Sequence, residues 1–137
     1  MEALLGSGWM PRRTPSVCVL VSGGLDSAIL LSRCLANTRR VLPLYVRCGF
    51  IWERAEVSWL RHLLKAMRSP RLLPLTIVDV PLASTYRTHW SLTGRRVPGA
   101  RSADAAVYLP GRNLLLASHA AVVCARRRIA TIALGIL

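Results

Sequence analysis

The amino-acid sequence predicts an α/β fold, a doubly wound parallel sheet with helices on both faces. Three observations carry this prediction. Hydrophobic residues make up 53% of the chain, strand-like apolar runs alternate with helical apolar patterns, and a glycine-rich turn joins the first strand to the first helix. Strands that alternate with helices require right-handed β-α-β crossovers and therefore parallel pairing. Such sheets bind ligands outside the carboxyl ends of their strands, so a site is expected at that edge.

The predicted elements follow in order along the chain. Pro43 and Pro74 lack a backbone N–H, so they are expected near strand starts or at a sheet edge. The last helix is apolar on nearly all sides and is therefore predicted to be buried, whereas 81–107 is predicted to be an irregular polar segment. The predicted strands are 16–21, 41–46, 72–80 and 129–134, and the predicted helices are 26–36, Trp52 to Met67, and 112–127.

The turn after the first strand reads Ser-Gly-Gly-Leu-Asp-Ser and has the features of a phosphate-binding loop. Gly23 and Gly24 lack side chains, so the backbone can turn sharply and bring its N–H groups close to an anion. The following helix adds unpaired amides and the positive end of its dipole. Ser22 and Ser27 can donate hydroxyl hydrogen bonds, and Asp26 suits a magnesium ion that travels with phosphates. Because strand, turn and helix occur in the required order, an incidental turn is the weaker interpretation.

A second motif, Tyr-Leu-Pro-Gly-Arg-Asn, occupies 108–113 and opens the helix before the fourth strand. Gly111 follows a proline and shapes a turn, and the planar guanidinium of Arg112 can pair with a phosphate or carboxylate. Asn113 can cap the helix and bind a ligand. Taken alone, this motif is more simply a helix start. Its place in the chain nevertheless points back to the edge where the first turn lies.

Composition narrows the class of protein. The formal net charge is +13, but the basic residues are scattered and are not interleaved with aromatic residues, so we expect an arginine-rich bias rather than a nucleic acid partner. No apolar stretch is long enough to span a membrane, and 1–15 is predicted to be a flexible lead-in of a cytoplasmic protein. The cysteines and His119 are expected to be packed core residues, with no zinc site indicated. The cysteines are Cys18, Cys34, Cys48 and Cys124.

The two motifs together, with the upstream Ser-Leu-Thr at 91–93, resemble one family of the N-type ATP pyrophosphatases, which carry a PP-loop. That family is the 7-cyano-7-deazaguanine synthases of queuosine biosynthesis. Its Val-Pro-Gly-Arg-Asn-type motif follows the loop at a similar distance, and the resemblance covers 16–137. It implies a Rossmann-like, adenine nucleotide alpha hydrolase-like sheet, in which 16–137 is a PP-loop ATP-binding domain.

The resemblance implies an ATP-dependent ligase that converts 7-carboxy-7-deazaguanine and ammonia to 7-cyano-7-deazaguanine through an acyl-adenylate. Arg112 and Asp26 would be catalytic, and Asp26 would also hold Mg²⁺. Residues Gly111, Arg112 and Asn113 would bind substrate. A homodimer is a possible assembly. The residues expected to bind ATP are Val21, Ser22, Gly23, Gly24, Leu25, Asp26, Ser27 and Tyr45.

The chain departs from the family pattern in two places. After the second strand the family has a Tyr-Gly-Gln-x-His-type segment, where 47–52 reads Arg-Cys-Gly-Phe-Ile-Trp and only the glycine corresponds. The family also has a later segment with acidic substrate contacts and a cysteine cluster that binds zinc. The chain lacks those residues, so it is predicted to be truncated after the fourth strand.

Two other functions remain open from the sequence. One is a related PP-loop enzyme, such as a tRNA thiolation enzyme or an amidating synthetase of the NAD or GMP synthetase type. The motif at 108–113 and the absence of a Cys-x-x-Cys pair favour the deazaguanine ligase over these. The other is a catalytically incompetent nucleotide-binding module.

Overall fold

The protein, described over residues 15–135 by a computed structural model, is built on one sheet of four parallel strands in the order β3-β2-β1-β4. From β1 the chain winds outward to β2 and β3, then returns to place β4 on the other side of β1. The point where the winding reverses therefore lies between β1 and β4. The predicted α/β class is confirmed. The strands are β1 Val17–Leu20, β2 Val41–Arg47, β3 Thr76–Asp79 and β4 Thr131–Leu134.

Helices cover both faces of the sheet, as the doubly wound prediction requires. Helices α1 (Leu25–Asn37) and α2 (Glu53–Ala66) pack on the face that carries Val19 and Tyr45. On the other face lies a second core cluster around Leu20 and Leu44. Because side chains alternate along a strand, the two apolar sets on β1 and β2 fill two separate cores. Helices α3 (Ala83–Tyr86), α4 (Trp90–Thr93) and α5 (Arg112–Arg127) belong to this second face.

Strand β3 is shorter than the predicted 72–80, and Pro43 supplies the reason. Val41 pairs with Leu72 through an isolated bridge, and regular pairing resumes only at Leu44 and Thr76. One extra residue of the β3 segment therefore lies opposite this stretch of β2. The backbone N–H and C=O of Val41 both form hydrogen bonds with this segment. Pro43 lies two residues later, so its backbone faces the segment in the same way, but proline has no N–H to donate. Pro43 thus lies inside a central strand, where the ladder is interrupted.

Two predictions about the second face are wrong. Helix α5 is not buried all round, because only one side of it packs on the sheet, through Ala120 and Cys124. Its outer side leaves Leu114 and Val122 exposed by 71% and 61%. The segment 81–107 is not wholly irregular, since it forms α3, α4 and a 3-10 turn at Asp104–Ala106.

The predictions for the cysteines and His119 concern single buried side chains. All four cysteines are buried and free, and burial raises the pKa of the Cys34 thiol to about 11. His119 is half-buried, and its ring nitrogen lies 2.8 Å from the Leu115 carbonyl oxygen. Within residues 15–135, no helix is both long and apolar enough to cross a membrane. Almost all of the lead-in expected at 1–15 lies outside the described residues.

Candidate functional site

A cavity of about 280 Å³ opens at the carboxyl edge of the sheet, where the sequence predicts a site. The turn after β1, the start of α2 and the start of α5 surround it, and Leu134 of β4 and the following Gly135 close it. It therefore lies at the point where the winding of the sheet reverses. Eight of the predicted site residues line it: Val21, Ser22, Gly24, Asp26, Ser27, Tyr45, Arg112 and Asn113.

The turn after β1 holds its shape through the two serines. The Ser27 hydroxyl donates to the Gly24 carbonyl at 3.0 Å and accepts from the Ser22 amide at 3.2 Å. Helix α1 has no side-chain cap, and among the described residues the amides of Leu25, Asp26 and Ser27 have no acceptor. The serine hydroxyls thus order the loop, while three helix N-terminal amides stay free to bind an anion.

Three predicted site residues do not line the cavity. Gly23 has φ of +82° and lies against α2, so its role is conformational. The Leu25 side chain is 75% exposed, and what Leu25 offers the turn is its free amide. Gly111 has φ of +71° and precedes α5 in the left-handed conformation. The helix has no side-chain cap, so the cap predicted from Asn113 is wrong.

Sequence reasoning missed two acidic residues on the first turn of α2 that line the cavity. The Glu53 carboxylate is buried and accepts hydrogen bonds from the Cys48 amide at 2.6 Å and the Gly49 amide at 2.9 Å. It therefore closes the turn between β2 and α2. The Glu-x-x-Glu spacing at the start of a helix that follows a buried strand was the available signal, because that helix must begin at the same edge.

Glu56, the second acid, pairs with a tyrosine of β2. The Tyr45 hydroxyl donates to Glu56 Oε2 at 2.7 Å. Burial and this hydrogen bond raise the pKa of Tyr45, so it stays protonated and acts as a donor. Burial also raises the pKa of Glu56, although the bond from Tyr45 and the positive charge of Arg112 oppose that rise. The pair gives one wall of the cavity a fixed polar group.

Arg112 lines the cavity together with these acids. Its guanidinium carbon lies 5.6 Å from the centre of the Phe50 ring, which places the cation over an aromatic face. Its Nε atom is buried and has no hydrogen-bond partner among residues 15–135. A buried donor without a partner is costly unless a ligand satisfies it. The arrangement suits an anion that enters the cavity between α1 and α5.

The second motif is held in place by aromatic side chains of the 81–107 segment. The Tyr86 hydroxyl donates to the Pro110 carbonyl at 2.6 Å, and Trp90 Nε1 donates to the Ala106 carbonyl at 2.8 Å. These bonds fix both ends of the loop that leads into Arg112. The segment that the sequence left unassigned therefore positions the motif.

The donor set fits a magnesium ion brought by a nucleotide. Asp26 lines the cavity beside the free amides of α1. One carboxylate is a common protein contribution to Mg²⁺, which takes its other ligands from phosphates and water. Over residues 15–135, no group of three or more histidine, cysteine, aspartate or glutamate side chains is arranged to hold a metal.

Comparison with known proteins identifies the family of the chain. The family model described as "Queuosine biosynthesis protein QueC" matches residues 16–137. The chain is also 28% identical over 125 residues to the protein named "7-cyano-7-deazaguanine synthase 1" from Desulfitobacterium hafniense (strain Y51). That match covers 88% of this chain and 55% of the relative, so the chain spans about half the length of the curated relative it matches. The chain belongs to the QueC family of queuosine biosynthesis proteins.

Proposed function

We propose that the protein is an ATP-dependent carbon–nitrogen ligase that converts 7-carboxy-7-deazaguanine and ammonia to 7-cyano-7-deazaguanine. One observation carries the proposal. Two helix N-termini, those of α1 and α5, meet at one cavity with the Nε of Arg112. Within residues 15–135, neither this Nε nor the backbone amides of 25–27 and 113–114 have a hydrogen-bond partner. Such a site suits two anions that must react with each other, a triphosphate and a carboxylate. The name of the relative adds support for this substrate.

On this proposal the triphosphate binds at the turn Ser22–Ser27. The amides of Leu25, Asp26 and Ser27 would donate to phosphate oxygens, and Asp26 would hold the accompanying Mg²⁺. The end of β1 at Val21 and the β2 residue Tyr45 would flank the adenosine, since both line the cavity. Bound Mg²⁺ would neutralise phosphate charge.

The reaction would begin when a carboxylate oxygen attacks the α-phosphorus of ATP, forming an acyl-adenylate and releasing pyrophosphate. Ammonia would then attack the acyl carbon, AMP would leave with the C–O electron pair, and an amide would form. The amide oxygen would then attack the α-phosphorus of a second ATP, releasing pyrophosphate and one N–H proton. AMP would leave with the C–O electron pair, and loss of the remaining N–H proton would give the nitrile. Arg112 would stabilise the negative charge that develops during adenylyl transfer.

The test is pyrophosphate release by the full chain with ATP, Mg²⁺, ammonia and 7-carboxy-7-deazaguanine, with mass analysis of the deazaguanine product. The proposal predicts release that requires the carboxylate and a product with the mass of the nitrile. Release that requires a different acceptor, such as a tRNA, would favour a related PP-loop enzyme. Binding of ATP without release would favour a nucleotide-binding module and contradict the proposal.

A further inference from the structure

The amino edge of the sheet, opposite the cavity, carries a cluster of arginines. These residues are scattered along the sequence, but parallel strands all begin at the same edge, so the loops that lead into β2, β3 and β4 lie together there. All seven arginines of these loops have exposed side chains. We call them the basic edge: Arg39, Arg40, Arg68, Arg71, Arg126, Arg127 and Arg128.

The register of the sheet sets the size of the basic edge. Val17 of β1 pairs with Val41 of β2 on one side and with Thr131 of β4 on the other. Val41 in turn forms a bridge to Leu72, just before β3. Neighbouring strands lie about 5 Å apart, so the loops before β3 and β4 are separated by roughly 14 Å. The basic edge is therefore one strip of surface that crosses the whole sheet.

No acid offsets the charge of the basic edge within residues 15–135. The five acidic residues in that range all belong to segments at the carboxyl edge, namely Asp26, Glu53, Glu56, Asp79 and Asp104. Helices α1, α2 and α5 end at the basic edge, and each C-terminus contributes about half a negative charge. Seven arginines against roughly 1.5 negative charges leave about +5 on this strip, which is more than the helix ends require.

A groove of about 630 Å³ continues the positive surface along α2. Arg61, Lys65 and Arg68 line it, together with half-buried leucines such as Leu64 and Leu72. An acidic peptide in this groove would use these three cations and leave the arginines before β2 and β4 unused. The positive charge extends across the whole edge, so it suits a partner that carries negative charge at regular intervals over a longer distance.

Two features favour a nucleic acid duplex among such partners. None of the large hydrophobic side chains that are exposed within residues 15–135 belongs to the three loops. The basic edge therefore has no aromatic platform for the bases of a single strand and no apolar anchor for a membrane. A duplex carries one charge per about 1.7 Å, so about 14 Å of it presents roughly eight phosphates to the seven arginines. Guanidinium groups bind phosphate through paired hydrogen bonds.

We propose that the basic edge binds the phosphate backbone of a nucleic acid duplex without reading its sequence. Strand β2, with seven residues, separates this edge from the cavity by roughly 20 Å. Duplex binding therefore leaves the cavity open, and the inference does not depend on the proposed ligase reaction. Because the contacts are ionic, affinity must fall steeply as salt concentration rises.

The test measures the fluorescence anisotropy of a labelled DNA duplex of about 20 base pairs that is titrated with the full chain. Four or five phosphate contacts predict an affinity that falls about 100- to 500-fold between about 50 and 200 mM salt. The double variants Arg39→Gln/Arg40→Gln and Arg126→Gln/Arg127→Gln each remove two contacts. Each should weaken binding about 10- to 60-fold at about 100 mM salt and reduce the salt slope by about 2. Arg39→Lys/Arg40→Lys keeps the charge and should restore most of the affinity.

Arg95→Gln/Arg96→Gln is the matched control, because it removes the same charge from two exposed, adjacent arginines between α4 and α5. It should bind the duplex within about twofold of wild type, since charges more than about 10 Å away are screened. The inference is overturned if the wild type does not bind the duplex. It is also overturned if the control weakens binding as much as the two test variants do, because net charge would then explain the effect.

Two further probes distinguish the duplex from other polyanions. The single strand of the same sequence should bind more weakly, and equal affinity for both would overturn the assignment to a duplex. Poly-glutamate should displace the duplex only in large excess of negative charge. Displacement at an equal concentration of charge would contradict the inference and favour an acidic protein as the partner.

Discussion

The α-carbon of Gly23 packs directly against the backbone of Glu56, so that a β-carbon added to Gly23 would lie 3.1 Å from the Glu56 carbonyl oxygen. Gly23 also has φ of +82°, a conformation that L side chains rarely adopt. Two constraints of different origin therefore demand glycine at this position. The contact seats the turn after β1 on α2 and brings its free amides to the cavity.

Replacing Gly23 by alanine is expected to lower the free energy of unfolding by about 1–3 kcal/mol, because both the backbone angle and the contact become unfavourable. The displaced turn should also weaken Mg·ATP binding. Denaturant unfolding and calorimetry measure the two effects. Gly99→Ala is the control, since a β-carbon there meets nothing within 4 Å. Equal stability of the two variants would show that the Gly23 contact is unimportant.

Arg112→Lys keeps the positive charge but loses the planar guanidinium and its Nε donor. We expect the rate of pyrophosphate release to fall roughly 100-fold, with a smaller change in Mg·ATP affinity, because the donor acts mainly on charge that develops in the transition state. Initial rates at saturating ATP measure this. Arg126→Lys, an exposed change in the last turn of α5, should match wild type. If Arg112→Lys releases pyrophosphate at the wild-type rate, Arg112 is not a catalytic residue.

Glu53→Ala should destabilise the fold by about 1–3 kcal/mol, because the Cys48 and Gly49 amides would lose their acceptor. Arg54→Ala, a neighbouring exposed position on α2, should change the unfolding free energy little. Urea unfolding of both variants provides the comparison. If Glu53→Ala is as stable as Arg54→Ala, water replaces the carboxylate at no cost and the turn does not depend on it.

The stability of the protein should change with pH because the carboxyl group of Glu56 titrates differently in the folded and unfolded states. Since burial raises its pKa in the folded state, the folded protein holds this proton more tightly than the unfolded chain does. The contribution of Glu56 to stability is therefore full below its ordinary pKa and is lost as pH rises through the folded value. The glutamine of Glu56→Gln does not titrate. As pH rises through this window, the unfolding free energy of the variant should therefore increase relative to that of wild type. Urea unfolding from pH 4 upward tests this, and a constant difference would contradict it.

The order of strands and helices and the position of the PP-loop could be predicted because their signals are local. Glycines after a buried strand and apolar residues at helical spacing specify a turn and a helix wherever the chain folds. The alternation of elements then fixes parallel pairing, and parallel pairing brings Asp26 and Arg112 to one edge although 86 positions separate them.

What could not be predicted depends on partners distant in sequence. The early interruption of the ladder at β3 follows from the missing donor of Pro43 on the neighbouring strand. The exposure of Leu114 depends on which side of α5 packs against the sheet, and a helix with apolar residues on nearly all sides does not indicate that side. Glu56 becomes a site residue only because Tyr45, on the neighbouring strand β2, lies beside it and donates a hydrogen bond to it.

The central claim is that the free amides at the start of α1 bind the phosphates of ATP. The most direct measurement is a backbone ¹H–¹⁵N NMR titration of the full chain with Mg·ATP and, separately, with magnesium pyrophosphate. The account predicts saturable shifts of the Leu25, Asp26 and Ser27 amides with both ligands. Shifts confined to basic surface residues such as Arg61, Lys65 and Arg68, with the α1 amides unmoved, would contradict it.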